Sequence, residues 1–445
     1  MIWAFLILFC VIVAAILYLL VPTFPASTEA KSNAMELIEE LENNRMLTAQ
    51  GDVVFCYRLQ LPECFSLSEE DYDHLNEIWR IALKDFPQGT IILRSDRYDR
   101  QPFDASAMPE GSYIRREEKR YAAERLQTVD VSYLFVVFTG FRSVRDIRDL
   151  NPFVVLSHRK IKAEDAAYRA FLAAVDSMYR QLAGSGALAI EPMSEGEIRD
   201  YAQYWFNGFQ SDFLTDAEAS ESFIRVGDRF VGAVSIEHER QFPETLRSPQ
   251  VSRLMKISTG ILEDLGVVLP LPHICNQIIV LSGHDKEVEQ VKRTLDSFRK
   301  NRGFSEELED QVHRLDKTRE ELSDDLDALL VRGHTNVLFW AETEDLLKTY
   351  RNTITNFMKQ LRDFEPVVPT GGELRNVFYC SHPATVACMD ADSFYLVDIR
   401  QTVALFQHTG GYRPDAAGVY YSDPIDHLPL RYDLYDAQKK YVDSR

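Results

Sequence analysis

The stretch DVVFCYRLQLPECFSLSEEDYDHLNEIWRIALKDFPQGTIILR, residues 52–94, decides the fold class. Val53, Phe55 and Tyr57 alternate with their neighbours, which predicts a strand over Asp52–Leu61. Ser68 followed by Glu69, Glu70 and Asp71 is a helix start: a hydroxyl to accept an orphan N–H, then acids at the positive end of the helix dipole. Leu75, Ile78, Trp79 and Leu83 recur at helical spacing, and Pro87-Gln88-Gly89 ends the run. Thr90–Arg94 is again strand-like.

Outward from that β-α-β core, the charged text of Tyr113–Leu126 predicts a solvent-facing helix. Val131–Thr139 reads as a strand, Ala163–Leu182 as an amphipathic helix and Gly186–Ile190 as a short strand. The order β-α-β-β-α-β is that of a split βαβ, ferredoxin-like unit over 51–193. A second unit over 194–371 repeats the scheme. It has a strand pair in Ser222–Ile236 around Gly227-Asp228, a helix Arg253–Leu265, strands Asn276–Leu281 and Asn336–Trp340, and a helix Thr343–Phe364. Glu365–Val368 reads as a further strand, and two charged helices at about 284–331 form an inserted hairpin. Residues 372–445 are a connector with a helical part, Asp390–Phe406, and hairpin-like text at Gly410–Asp436. The expected class is α+β.

Ahead of these units, Ile2–Val21 is an unbroken apolar run closed by Pro22 and Pro25. About 20 residues of helix cross the hydrocarbon core of a bilayer. No Lys or Arg precedes the run, which disfavours a cleaved signal peptide. Residues 1–22 are therefore expected to be a transmembrane helix, with Ile2, Trp3, Phe5, Leu6 and Val21 in the membrane. Lys31 and Arg45 favour a single pass with the bulk in the cytoplasm. Residues 23–50, crowded with Glu36, Glu39, Glu40 and Glu42, read as a polar helical linker.

The 445 residues suffice for about two to four domains. Acids outnumber bases 69 to 49, for a net charge of −20. A general nucleic-acid surface is disfavoured, because counterion release requires clustered Lys and Arg. The six cysteines form no CxxC pair, in keeping with a reducing compartment.

Reactive motifs are missing. There is no Gly-Lys dipeptide and hence no phosphate-binding P-loop. Gly184-Ser185-Gly186-Ala187-Leu188-Ala189 follows a helix, whereas a dinucleotide loop must open one. Cys380, His382, Cys388 and Asp390 lack the spacing of a tetrahedral metal site. His273 and Cys275 share a strand face without the marks of a catalytic pair. Acid pairs such as Glu306-Glu307 belong to solvated helix faces. No catalytic, cofactor or metal residue is assigned.

Several segments carry a family resemblance. Gln50-Gly51-Asp52 with its strand, Leu61-Pro62 and the helix opening LSEEDYDHLNEIW resemble the N-terminal region of TraG-type conjugation ATPases. These energise type IV secretion systems carried on conjugative transposons of Bacteroides-like bacteria. Arg225-Val226-Gly227-Asp228, HICNQIIVL (His273–Leu281), GHTNVLFWAETED (Gly333–Asp345), Phe378–Asp390 and Gly411–Asp423 are similar to later segments of that family, in the same order. The likeness runs over about Gln50–Leu434. It implies an ATPase core beyond Arg445, so this chain is expected not to hydrolyse ATP itself.

The resemblance implies a single-pass assembly module anchored in the inner membrane. Its partners would be type IV secretion channel proteins and the membrane, with a homo-oligomer formed through the ATPase domain. Arg225, Asp228, Asn276 and Gln277 are the interaction candidates. The competing reading is an α/β enzyme or nucleotide-binding domain with an unrecognised site.

Overall fold

The computed structural model describes residues 37–63, 67–108, 111–139, 166–210, 217–243, 248–251, 258–283, 329–411, 418–422 and 428–433, with single positions between them. Its centre is one antiparallel sheet of 12 strands. In chain order these are β1 (Ile38–Glu42), β2 (Arg45–Thr48), β3 (Val53–Gln60), β4 (Thr90–Pro102), β5 (Leu126–Phe138), β6 (Ala189–Pro192), β7 (Ala217–Ala219), β8 (Ile224–Val226), β9 (Arg229–Ile236), β12 (His273–Val280), β13 (Leu330–Ala341) and β14 (Tyr395–Asp398). Two small hairpins stand apart: β10 (Gln250–Val251) with β11 (Ser258–Thr259), and β15 (Val419–Ser422) with β16 (Pro429–Tyr432). The strand order is β1-β2-β3-β5-β4-β12-β13-β9-β8-β7, with β6 added beside β3 and β14 beside β13.

Helices cover both faces. α1 (Glu69–Lys84), α3 (Ala166–Gly184), α5 (Glu263–Val268), α6 (Glu344–Arg362) and α8 (Ile399–Val403) contribute to the cores on one face. α4 (Glu195–Phe206) and α7 (Gly371–Cys380) cover the other. α2 (Tyr113–Ala123) buries only Ala122, as its charged text predicts. The period-2 geometry of a strand explains the layering. On β4, Ile91 and Leu93 enter the α4-side core while Ile92 enters the opposite one. β13 sends Leu338 and Trp340 one way and Val337 and Phe339 the other.

The helix starts follow the expected chemistry. Ser68 accepts from the Asp71 N–H at 3.3 Å, and Asp71 Oδ2 accepts from the Ser68 N–H at 2.9 Å. Trp79 of α1 is fully buried, edge-on to Phe406 with centroids 5.2 Å apart. Truncating such a ring to Ala costs about 3–5 kcal/mol.

The expected fold needs correction. In place of two ferredoxin-like units, the described residues form a single continuous sheet with helices on both faces. The joint is the pairing of β4 with β12, in register from Val280–Ile91 to His273–Tyr98. Eight residue pairs leave no seam, and the α4-side core runs from Leu37 to Phe394 across the expected 193/194 boundary. The expected linker 23–50 contributes two strands instead of a helix. Asn43, in a left-handed conformation (φ 56°), turns β1 into β2, and the acids at 39, 40 and 42 are exposed. The inserted hairpin lies largely outside the described residues, and by Leu330 the chain is already strand.

The inner-membrane expectation is corrected as well. Among the described residues no helix is long and apolar enough to cross a membrane. Ile2–Val21, with Ile2, Trp3, Phe5, Leu6 and Val21, lies outside the described residues.

Candidate functional site

Beyond the His273–Tyr98 pair, β12 ends while β4 and β5 run on together to Pro102 and Leu126. The sheet narrows there, and on its α4 face a cleft of about 1290 Å³ opens. Its lining includes Arg97 and Asp99 of β4, Tyr133 of β5, Tyr204 of α4, and Asp228 and Arg229 at the β8–β9 turn.

Local chemistry sets α4 beside the sheet. Ser194 and Glu197 cap the helix reciprocally, with Ser194 N–H donating to Glu197 Oε2 at 2.8 Å and Glu197 N–H to Ser194 Oγ at 3.3 Å. Those Ser194 bonds, assisted by Arg58, hold the Glu197 carboxyl below its ordinary range. Arg58 Nη1 donates to Glu197 at 3.1 Å and its Nη2 to Glu191 at 2.7 Å. At the other end of α4, Trp205 Nε1–H donates to the Phe378 carbonyl at 3.1 Å, tying the helix to α7.

On the floor of the cleft, Arg97 and Asp99 stand two apart on one strand face. Arg97 Nε lies 3.0 Å from Asp99 Oδ2. The contact is an ion pair without hydrogen-bond alignment, since Arg97 Nε is without a hydrogen-bond partner. Tyr204 Oη donates to Asp99 Oδ1 at 2.5 Å. The Arg97 guanidinium carbon sits 4.6 Å from the Tyr204 ring centre and 5.8 Å from that of Tyr133. Burial pushes the Asp99 carboxyl above its ordinary value; Arg97, the Tyr204 hydroxyl and Arg229 work against that rise. Burial, then Asp99, push the Tyr204 phenol up, so it keeps its proton. Arg229 is less committed: its Nη1 is 3.6 Å from Glu342, and its buried Nε has no partner. With Asp99 held by Arg97 and Tyr204, this arrangement can recognise charge.

The sequence-derived candidates are dispersed. Asp228 is exposed at the turn and lines the cleft. Arg225 is exposed, donates from Nε to the Gly227 carbonyl at 3.1 Å, and lies over the Phe230 ring. Asn276 and Gln277 do not reach the surface. Ser95, Asn276 and Asn336 stand in register across β4, β12 and β13. Ser95 Oγ donates to Asn276 Oδ1, Asn276 Nδ2 to Asn336 Oδ1 at 2.9 Å, and Asn336 Nδ2 to Ser381 Oγ at 2.8 Å. On the opposite face, Thr335 Oγ1 donates to Gln277 Oε1 at 2.6 Å, and Gln277 Nε2 to the Leu405 carbonyl at 3.4 Å. Both side chains are engaged inside the protein, stitching the sheet together.

Arg97, Asp99 and Tyr204 have no counterpart among the sequence candidates. The available signal is the pair of opposite charges at i, i+2 in RSDRYDR, residues 94–100. In a strand that spacing places them on one face.

His273, His334, His382 and His408 are buried, and burial lowers their ring values to about 4, 4, 3 and 3. Cys380 and Cys388 are buried free thiols. Among the described residues no group of three or more His, Cys, Asp or Glu converges as metal ligands would.

A family model described as "Domain of unknown function, B. Theta Gene description" (DUF3875) matches residues 37–76. That span holds the β1–β2 hairpin, β3 and the first half of α1. No curated protein matches the chain.

Proposed function

We propose that this chain is a protein-docking module of a conjugation-type secretion machine, related to the region of TraG-type ATPases that precedes their nucleotide-binding core. The observation that carries the reading is the ordered set of family-like segments over Gln50–Leu434. The cleft supports it, because its floor consists of paired charges and tyrosines. The module works by presenting a preformed, charge-patterned concavity next to a rigid twelve-stranded sheet. A preformed concavity loses little ordering entropy on binding, which favours recognition. The role is that of an adaptor.

The test is reciprocal affinity purification of the full chain against each cloned type IV secretion channel protein, with isothermal titration of ATP alongside. Saturable binding to a channel protein with no ATP heat is the expected result. If no channel component binds, or ATP binds stoichiometrically, the docking reading falls and a nucleotide-handling role takes its place.

A further inference from the structure

Resting on the docking reading, we infer that Arg97 and Arg229 form a carboxylate-recognition pair for an acidic side chain next to an apolar residue on a protein partner. A guanidinium carries five N–H donors in a fixed fork that matches a carboxylate edge. Arg97 Nε lies 3.0 Å from Asp99 Oδ2 without hydrogen-bond alignment, so Asp99 does not saturate the fork. The Arg97 side chain is 17% exposed and lines the cleft, with the guanidinium held against Tyr204 and Tyr133. This is a pre-oriented fork on the cleft floor, facing Asp99 without an aligned hydrogen bond. The Arg229 contact with Glu342 is long, at 3.6 Å, and the Glu342 side chain is 73% exposed and therefore readily displaced.

The charge balance selects the ligand. Four guanidiniums (Arg58, Arg97, Arg100, Arg229) and five carboxylates line the cleft. A polyphosphate would bring several charges against those carboxylates, whereas one carboxylate needs one fork. Trp340, Phe209, Leu346 and Pro272 supply apolar wall, which suits an aliphatic or aromatic side chain flanking the acid. Recognition would be bipartite: charge at the floor, apolar contact at the wall.

The probe is a fluorescein-labelled, amidated twelve-residue glycine-serine peptide carrying one glutamate next to one leucine, titrated against the full chain by anisotropy. Its glutamine twin and inorganic tripolyphosphate are run in parallel. Saturable binding of the acidic peptide is expected, with at least a tenfold loss for the glutamine twin and no competition from tripolyphosphate. Arg97→Gln and Arg229→Gln should each weaken binding about tenfold or more. Arg97→Lys should recover part of it, since the charge returns without the fork. Arg97→Gln strands Asp99, so Arg97→Gln/Asp99→Asn serves as the folded control and must show the same loss. Arg180→Gln, a distant exposed position, should leave affinity unchanged. Binding that is indifferent to Arg97 and Arg229, absent, or displaced by tripolyphosphate overturns the inference. A channel protein still captured by the full chain in that case leaves the docking reading intact.

Discussion

The hydroxyl of Tyr204 on α4 donates to Asp99 Oδ1 on β4 across 2.5 Å, linking a helix to the strand that floors the cleft. The same carboxylate faces Arg97 through its other oxygen. One bond thereby anchors α4 and orients the guanidinium proposed to read a partner's acid.

Tyr204→Phe keeps the ring under Arg97 and removes only the donor. It strands a largely desolvated carboxylate oxygen, so a loss of about 1–3 kcal/mol is expected. Urea unfolding of the two proteins measures it, and an unchanged midpoint would show the bond to be idle.

Arg94 and Asp96, both fully buried, pair at 2.8 Å on the opposite sheet face, where Arg94 also donates to the Gln407 carbonyl at 2.9 Å. Removing one partner leaves an uncompensated buried charge. Arg94→Met should therefore cost about 3–5 kcal/mol. Arg94→Met/Asp96→Asn should be clearly milder than the sum of the single changes. A double-mutant cycle by chemical denaturation reads the coupling, and additive values would contradict it.

Asn276→Leu removes the middle of the Ser95–Asn276–Asn336 chain. With Ser95 and Asn336 both losing a partner inside the core, a drop of roughly 2–4 kcal/mol is expected. The cleft should still bind its ligand. A surface role for Asn276 predicts the reverse: normal stability and lost binding.

Glu237 lies just past β9, where burial and then Glu373 push its carboxyl up to about 7. The folded value exceeds the unfolded value of 4.5. Between those pH values the folded chain holds a proton that the unfolded chain releases, so stability declines as pH rises from about 4.5 to 7. Glu237→Gln should gain about 1–2 kcal/mol at pH 8 and nothing at pH 4. Thermal melts at both pH values decide it.

His382 has the opposite sign. Burial lowers its ring to about 3 from the ordinary 6.5. Its Nδ1 accepts from the Ala384 N–H at 3.2 Å, which assigns the proton of the neutral ring to Nε2. The unfolded chain takes up a proton that the folded chain refuses, so stability present above about pH 6.5 is lost as pH falls toward 3. His382→Gln should lower the slope of stability against pH by about one proton near pH 5. An identical slope in urea titrations would place the titration elsewhere.

Local signals were legible. The Ser68 cap, the α1 stripe, the Gly227-Asp228 turn and the apolar text of β5 and β12 appear in the structure near their expected positions. β4 shows where such reading stops. Thr90–Arg94 is recognisable as strand, yet the strand continues to Pro102 through Ser95-Asp96-Arg97-Tyr98-Asp99, which resembles loop text. Those charges are tolerable inside a sheet because Arg94 meets Asp96 and Arg97 meets Asp99 on alternate faces. The β1–β2 hairpin was concealed by the same logic: its acids suggest a helix face until the Asn43-Asn44 turn pairs Arg45 with Glu42.

The amino-acid sequence by itself determined the α+β alternation, the helix caps and the individual apolar faces, because each depends on residues a few positions apart. Tertiary structure alone decided that β4 meets β12, fusing two expected units into one sheet. It also decided that Asn276 is internal and that Arg97, Asp99, Tyr204 and Arg229 converge. Those relationships join segments distant in the chain, as Tyr98 meets His273 and Asp99 meets Tyr204. Their cause is the pairing of desolvated polar groups across strands, which no local pattern records.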